Sequence, residues 1–292
     1  MPDQRIDFVF NSASRGQWLG LITLLHLKLS TISPDQKIII HFNENIKISD
    51  LEPLHLVTLA CIIQAIYEKG IQVGLSRDNK EVSEYIYESL GFKHYWTEGH
   101  NHVEALDADN IFNLWRIIDS EKDLYAKNVE SYLKRKFFNG KDLSAINVCL
   151  IEAFYNVFDH AQANGNAFSL IKFDHEKQIL RVAISDFGIG IANSIRNNIT
   201  DHAIKTDVDA LALSLRDSIT SKSTKHNKGL GLGNILSCVD TARIFSNSGL
   251  YVKLKDSERF ITTTFSFPGT LIYFDVDLSN LDNEEILDTF NW

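Results

Sequence analysis

The sequence lacks three features that would assign the protein to a well-defined class: paired cysteines, an excess of positive charge and a long apolar run. Its three cysteines, Cys61, Cys149 and Cys238, are widely spaced among apolar residues, so neither a disulfide framework nor a zinc site is indicated. A formal net charge of -9 argues against general nucleic-acid binding, which requires clustered Lys and Arg. No apolar run approaches the roughly 20 residues of a membrane helix, and the first residues lack the apolar core of a signal peptide. We therefore expect a cytoplasmic protein with no membrane partner.

Composition and length favour a folded protein of two domains. Hydrophobic residues make up 44% of the chain and charged residues 23%, values typical of folded proteins. A length of 292 residues is more than one small domain needs and suggests about two domains. Residues 1–99 alternate strand-like and helix-like segments, which predicts an α/β layer. The predicted elements are Ile6–Phe10, Trp18–Leu29, Lys37–Phe42, Asp50–Lys69 capped by Ser49, Ile71–Leu75 and Asn79–Leu90. The polar residues 100–110 predict a linker to a second domain, 111–292.

The second domain is predicted to combine helices with a sheet, as in an α+β fold. Its helices are expected at Ser120–Phe138 and Ser144–His160, each capped by its first serine, and at Ile235–Ala242. Its strands are expected at Ile111–Ile118, Ala167–Phe173, Ile179–Ser185, Arg243–Asn247, Leu250–Leu254, Ile261–Phe267 and Leu271–Val276.

One predicted helix carries a concentration of polar side chains on a single face. At 100° per residue, Glu152, Asn156 and Asp159 fall within an arc of about 60°, and apolar residues such as Phe154 and Val157 fall on the other side. The helix alone is equally compatible with an ordinary solvated face and with a functional site.

Two glycine-rich turns lie downstream of this helix. The first is Asp186-Phe187-Gly188-Ile189-Gly190, directly after a predicted strand. Glycines at alternate positions let the backbone approach a ligand, and an Asp at a strand end can accept a hydrogen bond from an exocyclic amine. Asp-Phe-Gly also occurs as the metal-binding motif of protein kinases, but no strand lysine under a glycine-rich loop and no His-Arg-Asp catalytic loop precedes it.

The second turn is Lys228-Gly229-Leu230-Gly231-Leu232-Gly233, which enters an apolar helix. Backbone N–H groups of such a turn, together with the positive end of the helix, can bind phosphate. A dinucleotide-binding fold would place the turn near the start of a strand-helix-strand unit. Here it follows a hydroxyl-rich loop, which better suits a mobile cover.

Together these motifs resemble the GHKL superfamily, the ATP-binding fold shared by gyrase, histidine kinases and mismatch-repair ATPases. The resemblance rests on Glu152-x-x-x-Asn156-x-x-Asp159 followed by the two glycine turns in this order and spacing. It covers the chain from about Ile111 onward. It implies a Bergerat-type α/β sandwich with a mixed sheet. Pro268-Gly269-Thr270 resembles the closing Gly-Thr of the family, and Thr264 is a rival for that threonine.

The resemblance implies a role for the individual polar residues. Asn156 would coordinate Mg²⁺, which prefers oxygen ligands. Asp186 would bind the adenine amino group, with Thr270 assisting through water. Glu152, one helical turn before Asn156, would be the base that activates water or an incoming hydroxyl. Asp159 is a further candidate for nucleotide contact, at a position where related proteins vary.

The resemblance to the GHKL superfamily also implies that the two glycine turns lie around the nucleotide. Gly188 and Gly190 would let the backbone pass the nucleotide. Lys228 and the N–H groups of the second turn would hold the phosphates under a lid spanning about 197–228. The residues of that turn are Gly229, Leu230, Gly231, Leu232 and Gly233.

The element order of residues 1–99 resembles STAS domains, the small α/β regulatory modules of anti-sigma-factor antagonists. Many STAS regulators carry a phosphorylated serine in an Asp-Ser-Gly context at the start of the long helix. This sequence instead reads Ile48-Ser49-Asp50-Leu51-Glu52, which favours Ser49 as a cap.

The two resemblances imply an ATP- and Mg²⁺-binding regulatory protein with a protein partner, and they allow a homodimer. One hypothesis is a serine/threonine kinase or ATP-driven switch of the anti-sigma-factor type. A second is an ATPase whose hydrolysis drives a conformational change. A third is a non-catalytic module in which ATP stabilises a surface for a partner. The sequence leaves the choice between kinase and non-catalytic module open.

Overall fold

A computed structural model of the chain describes residues 5–99, 107–108, 111–157, 162–163, 165–198, 204–215 and 231–284. Within these ranges the protein is of mixed α/β class, with a three-stranded and a six-stranded sheet. None of the helices in the described ranges is both long and apolar enough to cross a membrane.

The N-terminal unit is built on a parallel sheet of order β1-β2-β3. The strands are β1 (Arg5–Phe10), β2 (Lys37–Phe42) and β3 (Gln72–Leu75). They are connected by α1 (Arg15–Lys28) and α2 (Pro53–Glu68), as parallel strands require crossover connections. After β3 come α3 (Lys80–Glu84), a π-helical turn (Tyr85–Ser89) and α4 (Phe92–Trp96). The alternation of strands and helices predicted for residues 1–99 is confirmed.

The six-stranded sheet of the C-terminal unit is antiparallel in all its described pairings. Its order is β4-β5-β6-β7-β9-β8. The strands are β4 (Asp107–Ala108), β5 (Ile111–Arg116), β6 (Ala167–Asp174), β7 (Ile179–Asp186), β8 (Thr241–Leu254) and β9 (Ser257–Asp277). The helices are α5 (Lys122–Lys136), α6 (Ser144–Asn156), α7 (Gly190–Asn198), α8 (Asp207–Ser214) and α9 (Gly231–Ser237).

Three predicted serine caps are wrong. Ser49 lies inside a 3₁₀ turn, and α2 begins at Pro53, whose missing N–H is tolerated in a first turn. Ser120 likewise lies in a 3₁₀ turn before α5. Ser144 is the first residue of α6, and its own N–H donates to a carboxylate oxygen of Asp142 at 2.8 Å. A 3₁₀ turn therefore occupies the predicted capping position in the first two cases, and in the third the cap position falls one residue earlier, at Leu143.

The C-terminal strands also differ from the predicted pattern. The four short segments predicted between Arg243 and Val276 merge into the two long strands β8 and β9. Their pairing shifts register around Asn247, which has a φ of 52°. This irregularity leaves extra residues of β9 between the paired positions without ending either strand. The helix predicted at Ile235–Ala242 is instead α9, because the chain enters β8 at Thr241.

The two units share a hydrophobic core. Helices α5 to α9 cover one face of the six-stranded sheet, and residues of α1 and α2 join a second cluster with Phe168, Phe245 and Leu271 of the opposite face. Polar contacts cross the same interface: the Asn166 side chain donates to the Cys61 carbonyl at 3.1 Å. Asp107–Ala108 of the predicted linker pairs with β5, and 100–106 and 109–110 lie outside the described residues.

Candidate functional site

Polar residues occupy one end of the six-stranded sheet on the face that the helices cover. Asp186 on β7 is paired with Thr270 on β9, which is paired in turn with Ser246 on β8. All three side chains are buried. Since side chains alternate along a strand, Asp186 and Thr270 share their face with the core residues Ile184 and Ile272, two positions away. We call Asp186, Thr270 and Ser246 the polar row.

Asp186 is the carboxyl group of the polar row. Its side chain is only 3% exposed, and burial raises its pKa to about 7, against the opposing effect of hydrogen bonds from Gly188 and Thr270. The Gly188 N–H donates to the carboxylate at 2.9 Å. Buried titratable groups with strongly shifted pKa values are candidates for function. This carboxyl group lies near its titration point at neutral pH.

Two glycines allow the chain to pass close to Asp186. Gly190 begins α7 with a φ of 79°, and a Cβ there would lie 2.6 Å from the Asn247 side-chain oxygen. Gly269, next to Thr270, has a φ of 111°, and a Cβ there would lie 2.3 Å from the Asp186 carbonyl oxygen. Both backbone conformations disfavour any residue with a side chain. The first predicted glycine turn is therefore packed tightly against the strand that carries Thr270.

Glu152 and Asn156 lie one turn apart at the C-terminal end of α6, and both are half-buried. The Asn156 side-chain N–H donates to the Glu152 carbonyl at 2.7 Å. This bond orients the amide, whose oxygen is of the ligand type that Mg²⁺ prefers. Among the described residues, no group of three or more His, Cys, Asp or Glu side chains could hold a metal. A magnesium ion at Asn156 would take its remaining ligands from phosphate and water.

The start of α9 carries the described part of the second glycine turn. Leu232 is buried in the core that also contains Leu150 and Phe154 of α6. The Cys149 thiol lies 4.0 Å from the Ile235 carbonyl oxygen. The structure thus brings α9 and the helix of Glu152 and Asn156 together, although they are about 80 residues apart in sequence. Gly231 and Gly233 lie in the first turn of α9.

Four of the predicted site residues, Asp159, Lys228, Gly229 and Leu230, lie outside the described residues. The predicted lid, 197–228, is described only at 197–198 and 204–215, and its second part contains α8.

Two further residues belong to the site and were not predicted. Ser246 accepts a hydrogen bond from the Ala192 N–H at 3.1 Å, in the first turn of α7. Asn247 lies against Gly190, where an added Cβ would come within 2.6 Å of its side-chain oxygen. Gly269, which was predicted only as part of the closing Gly-Thr, approaches the same glycine through its carbonyl oxygen. Ser246 and Asn247 carry no sequence signal, because strand pairing alone brings them here.

The N-terminal unit contacts the chain around Asp186 from the opposite face of the sheet. The ring of Phe187, next to Asp186, packs edge-on against His26 of α1 with centroids 5.1 Å apart. The Cys61 thiol of α2 lies 3.4 Å from the Ser185 carbonyl oxygen. The strand end that carries Asp186 is therefore in contact with both units.

Comparison of the chain with protein-family models gives no match, and no curated protein sequence matches it.

Proposed function

We propose that the protein binds ATP with Mg²⁺ in the C-terminal unit and acts as a regulatory kinase or ATP-driven switch. The observation that carries this proposal is the pairing of buried Asp186 with Thr270 beside the Gly188–Gly190 turn. A carboxylate and a hydroxyl on neighbouring strands can bind an amino group and a water at one edge of a purine. The glycines of the adjacent turn would let the backbone approach the nucleotide closely.

The packing of α6 against α9 supports a phosphate and metal site in the same unit. Asn156 and Glu152 lie on α6, and Gly231 and Gly233 of the second glycine turn lie in the first turn of α9. Helix N-termini and glycine turns favour phosphate, and Asn156 would supply an oxygen to Mg²⁺. In this proposal the C-terminal unit has a GHKL-type arrangement, and the N-terminal unit is a STAS-like regulatory module.

Glu152 is the candidate base. Its carboxylate would take the proton from a hydroxyl or water as that oxygen attacks the terminal phosphorus, and the bond from this phosphorus to the bridging oxygen would break to release ADP. A hydroxyl from a protein partner would make the protein a serine/threonine kinase. Water would make it an ATPase. If Glu152 has no catalytic role, ATP would serve only to stabilise a surface for a partner.

The contacts of the N-terminal unit with the Asp186 strand favour a regulatory role over an isolated ATPase. His26 and Cys61 touch the residues on either side of Asp186. A change in the N-terminal unit on partner binding would reach the nucleotide pocket directly, and nucleotide binding would affect the partner equally.

Titration calorimetry of the full chain with ATP and MgCl₂ tests the binding proposal. We expect Asp186→Asn to weaken ATP binding at least tenfold and to reduce the preference for ATP over ITP, which lacks the amino group. Asp174→Asn, at the opposite end of the β6–β7 hairpin, is the control and should bind as wild type. Absence of ATP binding in the wild type, or equal affinity for ATP and ITP, would contradict the proposal.

A second experiment distinguishes phosphate transfer to a protein from hydrolysis of ATP. The protein is incubated with γ-labelled ATP, and free phosphate is compared with label on protein. Glu152→Gln should abolish both products while retaining ATP binding, and Asn156→Ala should remove the Mg²⁺ dependence of binding. Full activity in Glu152→Gln would exclude the base role.

A further inference from the structure

The N-terminal unit contains a cavity of about 680 Å³ at the outer edge of β3. Its walls are the C-terminal end of α2 and the segment that runs from the π-helical turn to α4. This volume lies within the range of about 300–1,000 Å³ found for small-molecule sites. None of the polar-row residues lines it.

Aromatic rings dominate the walls of this cavity. Tyr67, Tyr87, Phe92 and Trp96 all line it. Tyr67 and Tyr87 leave 57% and 36% of their surfaces exposed, so their rings have faces that the described protein does not cover. The Trp96 indole N–H donates to Gln64 at 3.0 Å, and this bond fixes one ring of the wall. Such a preformed aromatic wall lowers the cost of ordering on binding.

The cavity has one positively charged lining residue among the described residues, Lys37. Lys37 begins β2 and is the one charged side chain among the described residues that line the cavity. The protein as a whole carries a net charge of -9. A cationic group at an aromatic cavity with no lining acid among the described residues favours an anionic ligand.

The backbone of β3 adds polar groups to the cavity. All four residues of this strand line it, although their side chains alternate between the two faces, so the cavity must lie along the strand edge. The Ser76 N–H donates to Ile40 of β2 at 2.8 Å. By alternation, Val73 and Leu75 direct their N–H and C=O groups outward. Within the described residues, β3 pairs only with β2.

We propose that this cavity binds a small planar aromatic carboxylate. Its ring would lie between the side chains of Tyr67 and Trp96, and its carboxylate would bind the Lys37 ammonium group. The outward N–H groups of Val73 and Leu75 would supply further hydrogen bonds. A ligand of this size suits the four-residue edge of β3 better than an extended peptide, which gains affinity from longer strand pairing.

Calorimetry of the full chain at pH 7 with 2-naphthoate as the probe tests this proposal. We expect 2-naphthoate to bind and 2-naphthylmethylammonium, of the same ring size but opposite charge, to bind at least tenfold more weakly. Lys37→Gln should remove this preference, and Lys47→Gln, an exposed lysine beyond the other end of β2, should keep it. Equal binding of the two probes, or no binding of naphthoate at millimolar concentration, would overturn the proposal.

The exposed ring of Tyr67 gives a second test that does not depend on charge. Tyr67→Ala should weaken naphthoate binding about fivefold without changing the melting temperature appreciably, because the side chain is mostly exposed. Sedimentation of the wild type and of Tyr67→Ala tests whether a second copy of the chain, and not a small molecule, occupies the cavity. A wild-type dimer that dissociates in Tyr67→Ala would assign this face to a second copy of the chain and reject the ligand site. Unchanged naphthoate affinity in Tyr67→Ala would also reject it.

Discussion

Thr270 lies directly opposite Asp186 in the antiparallel pairing of β9 with β7. Both residues are buried, and in sequence they are 84 positions apart. A carboxyl group held in such a place is costly for the unliganded protein, because burial penalises its charged form. Sites that serve function commonly carry such costs.

The stability of the unliganded protein should depend on Asp186. Its pKa is about 7 in the folded protein, compared with an ordinary value of 3.8. Between these values the folded state holds a proton that the unfolded state has lost, so the contribution of Asp186 to stability falls as the pH rises from 3.8 to 7. Asp186→Asn should therefore stabilise the protein at pH 8 by a few kcal/mol and have little effect at pH 4. Urea unfolding at both pH values measures this, and equal changes at both would contradict the shifted pKa.

Gly269 should not tolerate a side chain. A Cβ would lie 2.3 Å from the Asp186 carbonyl oxygen, and φ is 111°. We expect Gly269→Ala to destabilise the protein by more than about 2 kcal/mol and to weaken ATP binding. Gly20→Ala is the matched control, because Gly20 lies within α1 with nothing within 4 Å of its added Cβ. This control should stabilise the protein by up to about 1 kcal/mol. Similar unfolding midpoints for the two variants would argue against the close approach.

His55 should make the protein sensitive to acid. Its ring is buried and neutral, since Nδ1 accepts the Glu52 N–H at 2.9 Å and Nε2 donates to the Ala13 carbonyl at 2.9 Å. Desolvation lowers its pKa from 6.5 to about 4. The unfolded chain binds a proton between these pH values and the folded chain does not, so stability declines as the pH falls from 6.5 to 4.

A substitution isolates this effect. The wild-type protein should take up about one proton at His55 when it unfolds between pH 4 and 6.5. His55→Gln should lack this uptake, so its free energy of unfolding, measured by urea denaturation, should vary less with pH over this range. His175→Gln, at an exposed position, should retain the full dependence. A wild-type slope in His55→Gln would show that other groups cause the acid sensitivity.

The C-terminal unit should not fold well without the N-terminal unit. The described N-terminal residues, 5–99, cover a sheet face that includes Phe168, Leu170, Phe245 and Leu271, and exposed apolar surface promotes aggregation. A fragment of residues 105–292 should aggregate or melt well below the full chain in gel filtration and circular dichroism. A monomeric fragment with the melting temperature of the full chain would favour two independent domains.

The three cysteines should differ in reactivity. Cys61 and Cys149 are buried, and burial raises the pKa of both thiols, whereas Cys238 is partly exposed. Because the thiolate is the reactive form, Ellman's reagent should modify about one thiol rapidly in the native protein and three after denaturation. Cys238→Ser should remove the rapid phase. A rapid reaction that persists in Cys238→Ser would indicate opening of the core around Cys61 or Cys149.

Local sequence patterns determined much of the secondary structure of this protein. Apolar patterns predicted β1, β2, β3, β5, β6 and β7, whereas β4 lies within the predicted linker, and the position of Glu152 and Asn156 on one helix follows from the 3.6-residue period. The helix starts predicted at Ser49 and Ser120 were wrong because a 3₁₀ turn precedes each helix, and Ser144 begins its helix as predicted but does not cap it.

Only the tertiary structure decided which residues meet. The sequence contains Asp186, Ser246 and Thr270 in separate segments, and strand pairing aligns them in one buried row. It also packs α1 and α2 onto the sheet face opposite the helices, so that His26 contacts Phe187. These contacts depend on the register and order of strands far apart in the chain, and local hydrophobic periodicity does not specify them.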